Sequence, residues 1–141
     1  MALGPFLILA LKAAVTGATL VWLLSLAALW YGKPRLHGRI NMAFFVLALC
    51  AILGLEMVAR VVYPLIREEP RDLFFYFDET TRNALRIHLC FAVPAALCLV
   101  GMLTTGLRGM PAVHVRLGVL FAVLWTGTVV TGLFFLPHTQ P

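Results

Sequence analysis

The chain has 141 residues, of which 62% are AVILMFWYC and 12% are charged, against about 45–50% (Gly included) and about 25% in soluble domains. A domain of this size leaves much of its surface exposed, so the composition excludes an ordinary cytosolic enzyme, a disordered tail, a collagen-like fibre and a disulfide-stapled secreted domain. The net charge of +5 does not point to nucleic acid, because the Lys and Arg residues lie in separate clusters between apolar runs, where they flank membrane segments.

Four stretches reach the roughly 20 mainly apolar residues that a hydrocarbon core about 30 Å thick requires. In chain order they are 5–30, 40–65, 84–107 and 112–136. Backbone polar groups in lipid must be satisfied inside a helix or a closed barrel, and these runs lack the alternation of barrel strands. The expectation is an all-α polytopic membrane protein, a single domain over residues 1–141 built as a bundle of four transmembrane helices. MALGPF has no basic stretch of the signal-peptide kind, and the run after it exceeds a signal-peptide core, so it is read as helix one. YGKPRLHGR and RGMP are short connections. REEPRDLFFYFDETTRN, between helices two and three, is longer, and its FFYF run is suited to the headgroup zone. No internal repeat stands out in the sequence.

An even number of spans puts both termini on one side, here side B, and both short connections on the other, side A. Side A carries Lys33, Arg35, Arg39, Arg108 and Arg116 without an acid, whereas side B mixes Arg60, Arg67, Arg71, Arg82 and Arg86 with five acids. Counting Lys and Arg alone gives a tie between the two sides. The unpaired cations in very short loops favour side A as cytoplasmic.

Ionisable groups inside membrane spans cost about 2.5–3.5 kcal/mol each on insertion scales and default to functional candidates. Glu56 and Arg60 stand at i and i+4, acid first, as an ion pair would. They read either as a structural pair near side B or as a ligand or relay group with its cationic partner. Lys12 lies close enough to side B to snorkel. Cys50, Cys90 and Cys98 have no metal or redox spacing and are expected to be buried small hydrophobes. Pro94 should bend helix three.

Histidine carries the most information. His37 opens helix two and His114 opens helix four, both on side A; His88 begins helix three and His138 follows helix four, both on side B. The two sides are about 28 Å apart along helix three at 1.5 Å per residue, so no single ion joins them. The plausible partners are His37 with His114, and His88 with His138 or Glu56. Two neutral imidazoles on facing helices can ligate a b-type haem or, with a third donor, a copper ion. Asn41, one turn after His37, is a supporting polar residue. His114, Gly118, Phe121, Trp125, Thr128 and Gly132 share one stripe of helix four, and its small residues suit either a porphyrin edge or close helix packing. Phosphate loops, nucleophile–base arrangements and paired catalytic carboxylates are absent from the sequence.

From about Lys33 to Leu136 the chain resembles the YozB/CtaM family of small four-helix membrane proteins, some of which are implicated in maturation of haem–copper terminal oxidases. The resemblance rests on RLHGRINMAF entering helix two, LRIHLCFAVP entering helix three, PAVHVRLGVL opening helix four and LWTGTVVTGLFF closing it. It implies that His37, His88 and His114 correspond to the family's histidines, and Trp125, Thr131 and Gly132 to its helix-four signature. Relatives often carry a further His near the end of helix two, where this chain has Glu56-Met57-Val58-Ala59-Arg60, which makes side A the stronger metal site.

The resemblance therefore implies a non-enzymatic accessory protein of oxidase assembly in the bacterial inner membrane, with lipid and an oxidase subunit as partners, handling haem or copper through His37 and His114. Two other functions suit the same residues. One is a b-type haem electron-transfer or anchor subunit, and the other a cofactor-free structural subunit of a larger complex.

Overall fold

The structure is a computed structural model describing residues 3–57 and 79–135, with side chains described from Leu9 onward except those of residues 55, 56, 80, 81 and 135. Among the described residues there are four helices: α1 (Leu3–Trp30), α2 (Pro34–Met57), α3 (Glu79–Leu107) and α4 (Pro111–Val130), the last extended by one π-helical turn, Thr131–Phe135. Each helix is long and apolar enough to cross a membrane, over Leu9–Trp30, Pro34–Gly54, Arg82–Leu107 and Pro111–Phe134. The expected four-span all-α architecture is the observed one. The helix-two boundary differs: Pro34–Arg39, expected in a loop, is already helical, because Pro at a first helical position loses no hydrogen bond and has its φ preset.

α1 packs on α2 and α3 on α4, forming two hairpins. Both hairpins turn in the same way. Gly32 (φ 67°) and Gly109 (φ 65°) adopt the left-handed backbone that favours glycine. The amides of Lys33 and Met110 then reach back to the carbonyls of Ala28 and Thr105, and those of Gly32 and Gly109 to Leu29 and Gly106, closing each helix with a Schellman motif. A proline starts the next helix in each case.

That likeness extends well beyond the turns. Gly32-Lys33-Pro34-Arg35-Leu36-His37-Gly38-Arg39 and Gly109-Met110-Pro111-Ala112-Val113-His114-Val115-Arg116 share Gly, Pro, His and Arg in register. Phe44 and Phe121 follow at the same distance in the two halves, and both are 1% exposed. Ala18 and Ala95, Ser25 and Met102, Ala28 and Thr105, and Ala48 and Trp125 are buried at matching positions. The chain is thus an internal repeat of two hairpins that run the same way through the bundle, so the axis relating them lies along the helices. The sequence alone did not disclose this repeat, because few side chains are identical and what the halves share is mainly the pattern of burial.

Aromatic rings hold the hairpins together. Phe44 of α2 meets Phe121 of α4 edge to face at 5.8 Å and Trp125 at 5.2 Å, while Trp22 of α1 meets Phe121 at 6.0 Å. Trp125 Nε1 donates to Thr19 Oγ1 at 3.2 Å, joining α4 to α1. Near the opposite end Lys12 Nζ donates to the Leu133 carbonyl at 2.9 Å. Its charge therefore meets a helix C-terminus, where the dipole favours a cation, instead of simply snorkelling as the sequence suggested.

The outer surface is apolar, with Leu24, Leu97, Val119 and Val123 all more than half exposed, as a lipid-facing surface requires. Trp30 and Tyr31 stand exposed at the first turn, suited to a membrane interface. The expectation of buried cysteines is corrected: Cys50 and Cys90 are exposed and Cys98 is intermediate. α3 runs through Pro94 as one helix.

Candidate histidine site

The two hairpin turns bring His37 and His114 to the same end of the bundle, where their ring centroids are 6.5 Å apart with planes at 86°. Each ring is tied by Nδ1 to a backbone carbonyl twelve residues earlier, on the preceding helix of its own hairpin. The distance is 3.0 Å to Ser25 for His37 and 3.0 Å to Met102 for His114. A carbonyl only accepts, so Nδ1 carries a proton in both rings, and Nε2 is the nitrogen that would face a metal. Metal-ligating histidines are commonly oriented in this way.

The surroundings of the two rings differ. Around His37 a polar circuit closes: Ser25 Oγ, 2.8 Å from Nδ1, donates to Asn41 Oδ1 at 2.7 Å, and Asn41 Nδ2 donates to His37 Nε2 at 3.2 Å. Asn41, expected as a supporting polar residue, thus rests on the nitrogen that a metal would use. Ser25 is fully buried; sequence reading missed it, although a Ser at the matching depth of α1 was the available signal.

Around His114 the polar contacts are confined to Nδ1. Thr105 Oγ1 lies 3.4 Å from it but donates its own proton to the Gly101 carbonyl at 2.8 Å. Among the described residues no hydrogen bond reaches His114 Nε2. Gly118 stands where the repeat would put the counterpart of Asn41, and the Met102 methyl lies 3.8 Å from the position of a Cβ there. Gly118 therefore packs against Met102. Trp125 is 8% exposed and belongs to the aromatic core, and the helix-four stripe faces inward as expected, with Phe121, Trp125 and Thr128 all buried.

Two imidazole nitrogens bound on opposite sides of one first-row metal, each about 2.0–2.1 Å from it, place the ring centres about 6.3 Å apart. The observed centroid separation is of that size, and the Asn41 amide rests on His37 Nε2. No cluster of three or more His, Cys, Asp or Glu that could hold a metal ion occurs among the described residues. Arg35 and Arg39, two positions either side of His37, line an open cleft with Lys33 and lie on the other face of α2.

His88 forms a separate cluster. Its Nδ1 donates to Thr131 Oγ1 at 2.9 Å, and that hydroxyl donates to the Gly127 carbonyl at 2.7 Å. A Cβ on Gly132 would come within 3.0 Å of His88 Cε1, so this glycine admits the imidazole edge. His88 lies about 25 Å from the level of Thr105 along α3, which keeps it apart from the His37–His114 pair. Its expected partners, His138 and the Glu56 side chain, lie outside the described residues, as does Arg60, the expected partner of Glu56.

No known protein family, curated protein or solved structure matches the chain. Fold and site together define a four-helix protein of membrane-spanning dimensions, with two imidazoles meeting at one end.

Proposed function

We propose that the chain is an integral membrane accessory protein of haem–copper terminal oxidase assembly, handling haem or copper at His37 and His114. The carrying observation is that both rings, brought together from different hairpins, direct Nδ1 to a carbonyl, which leaves Nε2 as the nitrogen for a metal. A bound metal would supply a Lewis-acidic or redox centre. The chain's own part is to hold two neutral nitrogen donors near one another with no thiolate or carboxylate among the described residues beside them. So small a donor set suits transient holding and transfer better than permanent storage. The resemblance of the helix-entry motifs to YozB/CtaM proteins supplies the oxidase context.

A cofactor-free structural role is the second reading, favoured by the Asn41 amide on His37 Nε2. There the histidines latch each hairpin turn to the preceding helix. An optical spectrum with metal analysis of gently solubilised protein separates these readings. Substoichiometric haem or copper supports handling, a stoichiometric reducible Soret band supports a permanent b-type haem subunit, and colourless metal-free protein copurifying with a large complex supports the structural role.

A further inference from the structure

The internal repeat gives each residue near His37 a counterpart near His114, and the two sets have diverged in one direction. Ser25 and Asn41, which close a polar circuit on His37, correspond to Met102 and Gly118. In the second half the amide that would cover Nε2 is missing. The space it would take borders a thioether instead: Met102 is 8% exposed, its carbonyl anchors His114 Nδ1 at 3.0 Å, and its methyl reaches toward Gly118, one turn along α4 from His114. The Met102 side chain thus lies in the core beside Gly118, one turn along α4 from His114.

We propose that Met102 is a third donor of this site, which makes it a His2Met site selective for Cu(I). The inference rests on the assignment of His37 and His114 as ligands and goes further by choosing the metal. Thioether sulfur is a soft donor that selects Cu(I), whereas carboxylate and water suit Mg, Ca and Mn. Two neutral imidazoles and a neutral thioether leave the monovalent ion's charge uncompensated, which further disfavours divalent ions in an apolar bundle. A haem iron held between two imidazoles has no position left for sulfur, so Met102 separates copper from haem. The methyl group of Met102 can withdraw without moving the backbone, since Met has three rotatable side-chain bonds. An ion bound at His37 Nε2 would require the Asn41 amide to turn away from that nitrogen, while Asn41 Oδ1 keeps its bond from Ser25.

The test is anaerobic titration of the purified full chain in detergent with Cu(I), against a chromophoric Cu(I) chelator, followed by copper K-edge X-ray absorption. One Cu(I) per chain is expected, with nitrogen and one sulfur scatterer in the first shell. Met102→Leu conserves volume; it should remove the sulfur and weaken Cu(I) binding at least about tenfold, in the range found when groups supporting a metal site are lost. Selenomethionine labelling of the unaltered sequence should convert the sulfur shell to selenium, a readout independent of whether the variant folds. A nitrogen-only shell that Met102→Leu leaves unchanged overturns the thioether while the imidazole assignment stands. Binding unaffected by His37→Ala with His114→Ala overturns both. Stoichiometric low-spin haem with no Cu(I) uptake overturns the Met102 donor and copper selectivity while the imidazole assignment stands, and failure to take up either overturns both.

Discussion

Asn41 Nδ2 sits 3.2 Å from His37 Nε2, while Gly118, the residue matching Asn41 in the second hairpin, has no side chain to offer His114. One imidazole of the pair is therefore hydrogen-bonded at Nε2, and the other, among the described residues, is not. In a site built for exchange, a neutral amide holding one ligand can yield to an incoming ion at the cost of one hydrogen bond, about 0.5–1.5 kcal/mol net.

That contact makes Asn41→Ala informative. A ligand role for His37 predicts unchanged or tighter Cu(I) or haem binding, because the competing donor is gone. A latch role predicts no binding in either protein and a fall in thermal stability of about 1 kcal/mol. Parallel binding and melting measurements on the two proteins decide the matter.

Replacing both His37 and His114 with Ala should lower active terminal oxidase in the membrane at least several-fold, without preventing insertion of this chain. Insertion depends on the four apolar spans, which the substitutions leave intact. Oxidase activity equal to that of the unaltered protein, at matched abundance, would contradict the ligand assignment.

The junction of α3 and α4 depends on glycine. A Cβ on Gly127 would overlap the Phe91 ring, so Gly127→Ala must move that ring or part the helices, at a cost of about 1–3 kcal/mol. Gly17→Ala, where nothing lies within 4 Å of a built Cβ, should be nearly neutral. Melting of the two variants in one detergent gives the comparison.

Thr19→Val removes the acceptor of the Trp125 indole N–H and should destabilise the union of the hairpins by about 0.6–1.7 kcal/mol, between the average and the largest value for polar contacts between membrane helices. A double-mutant cycle with Trp125→Phe should recover most of that loss as coupling. Purely additive effects would show that the bond does not join the hairpins.

The four spans were legible because their length and apolarity alone meet the bilayer's requirement, and the meeting of His37 with His114 followed from counting the crossings. The inward face was less legible. In helices apolar on every side, periodicity no longer distinguishes core from lipid, which is why Cys50 and Cys90 were expected inside and stand outside. The early start of α2 was hidden because RLHGR is polar, although Gly32 before Pro34 already carried the turn. Ser25 and Met102 escaped notice because their role depends on a carbonyl and a depth, neither of which a motif records. Lys12 was correctly placed near one end, but its acceptor is a main-chain oxygen at the π-helical turn, invisible to residue-type reasoning.

The most direct measurement is haem and metal content, by optical spectrum and elemental analysis, of the gently solubilised protein beside its His37→Ala, His114→Ala double variant. The account predicts haem or copper below one equivalent in the native chain and none in the variant. Protein that is colourless and metal-free in both forms, or that carries equal metal in both, would contradict it.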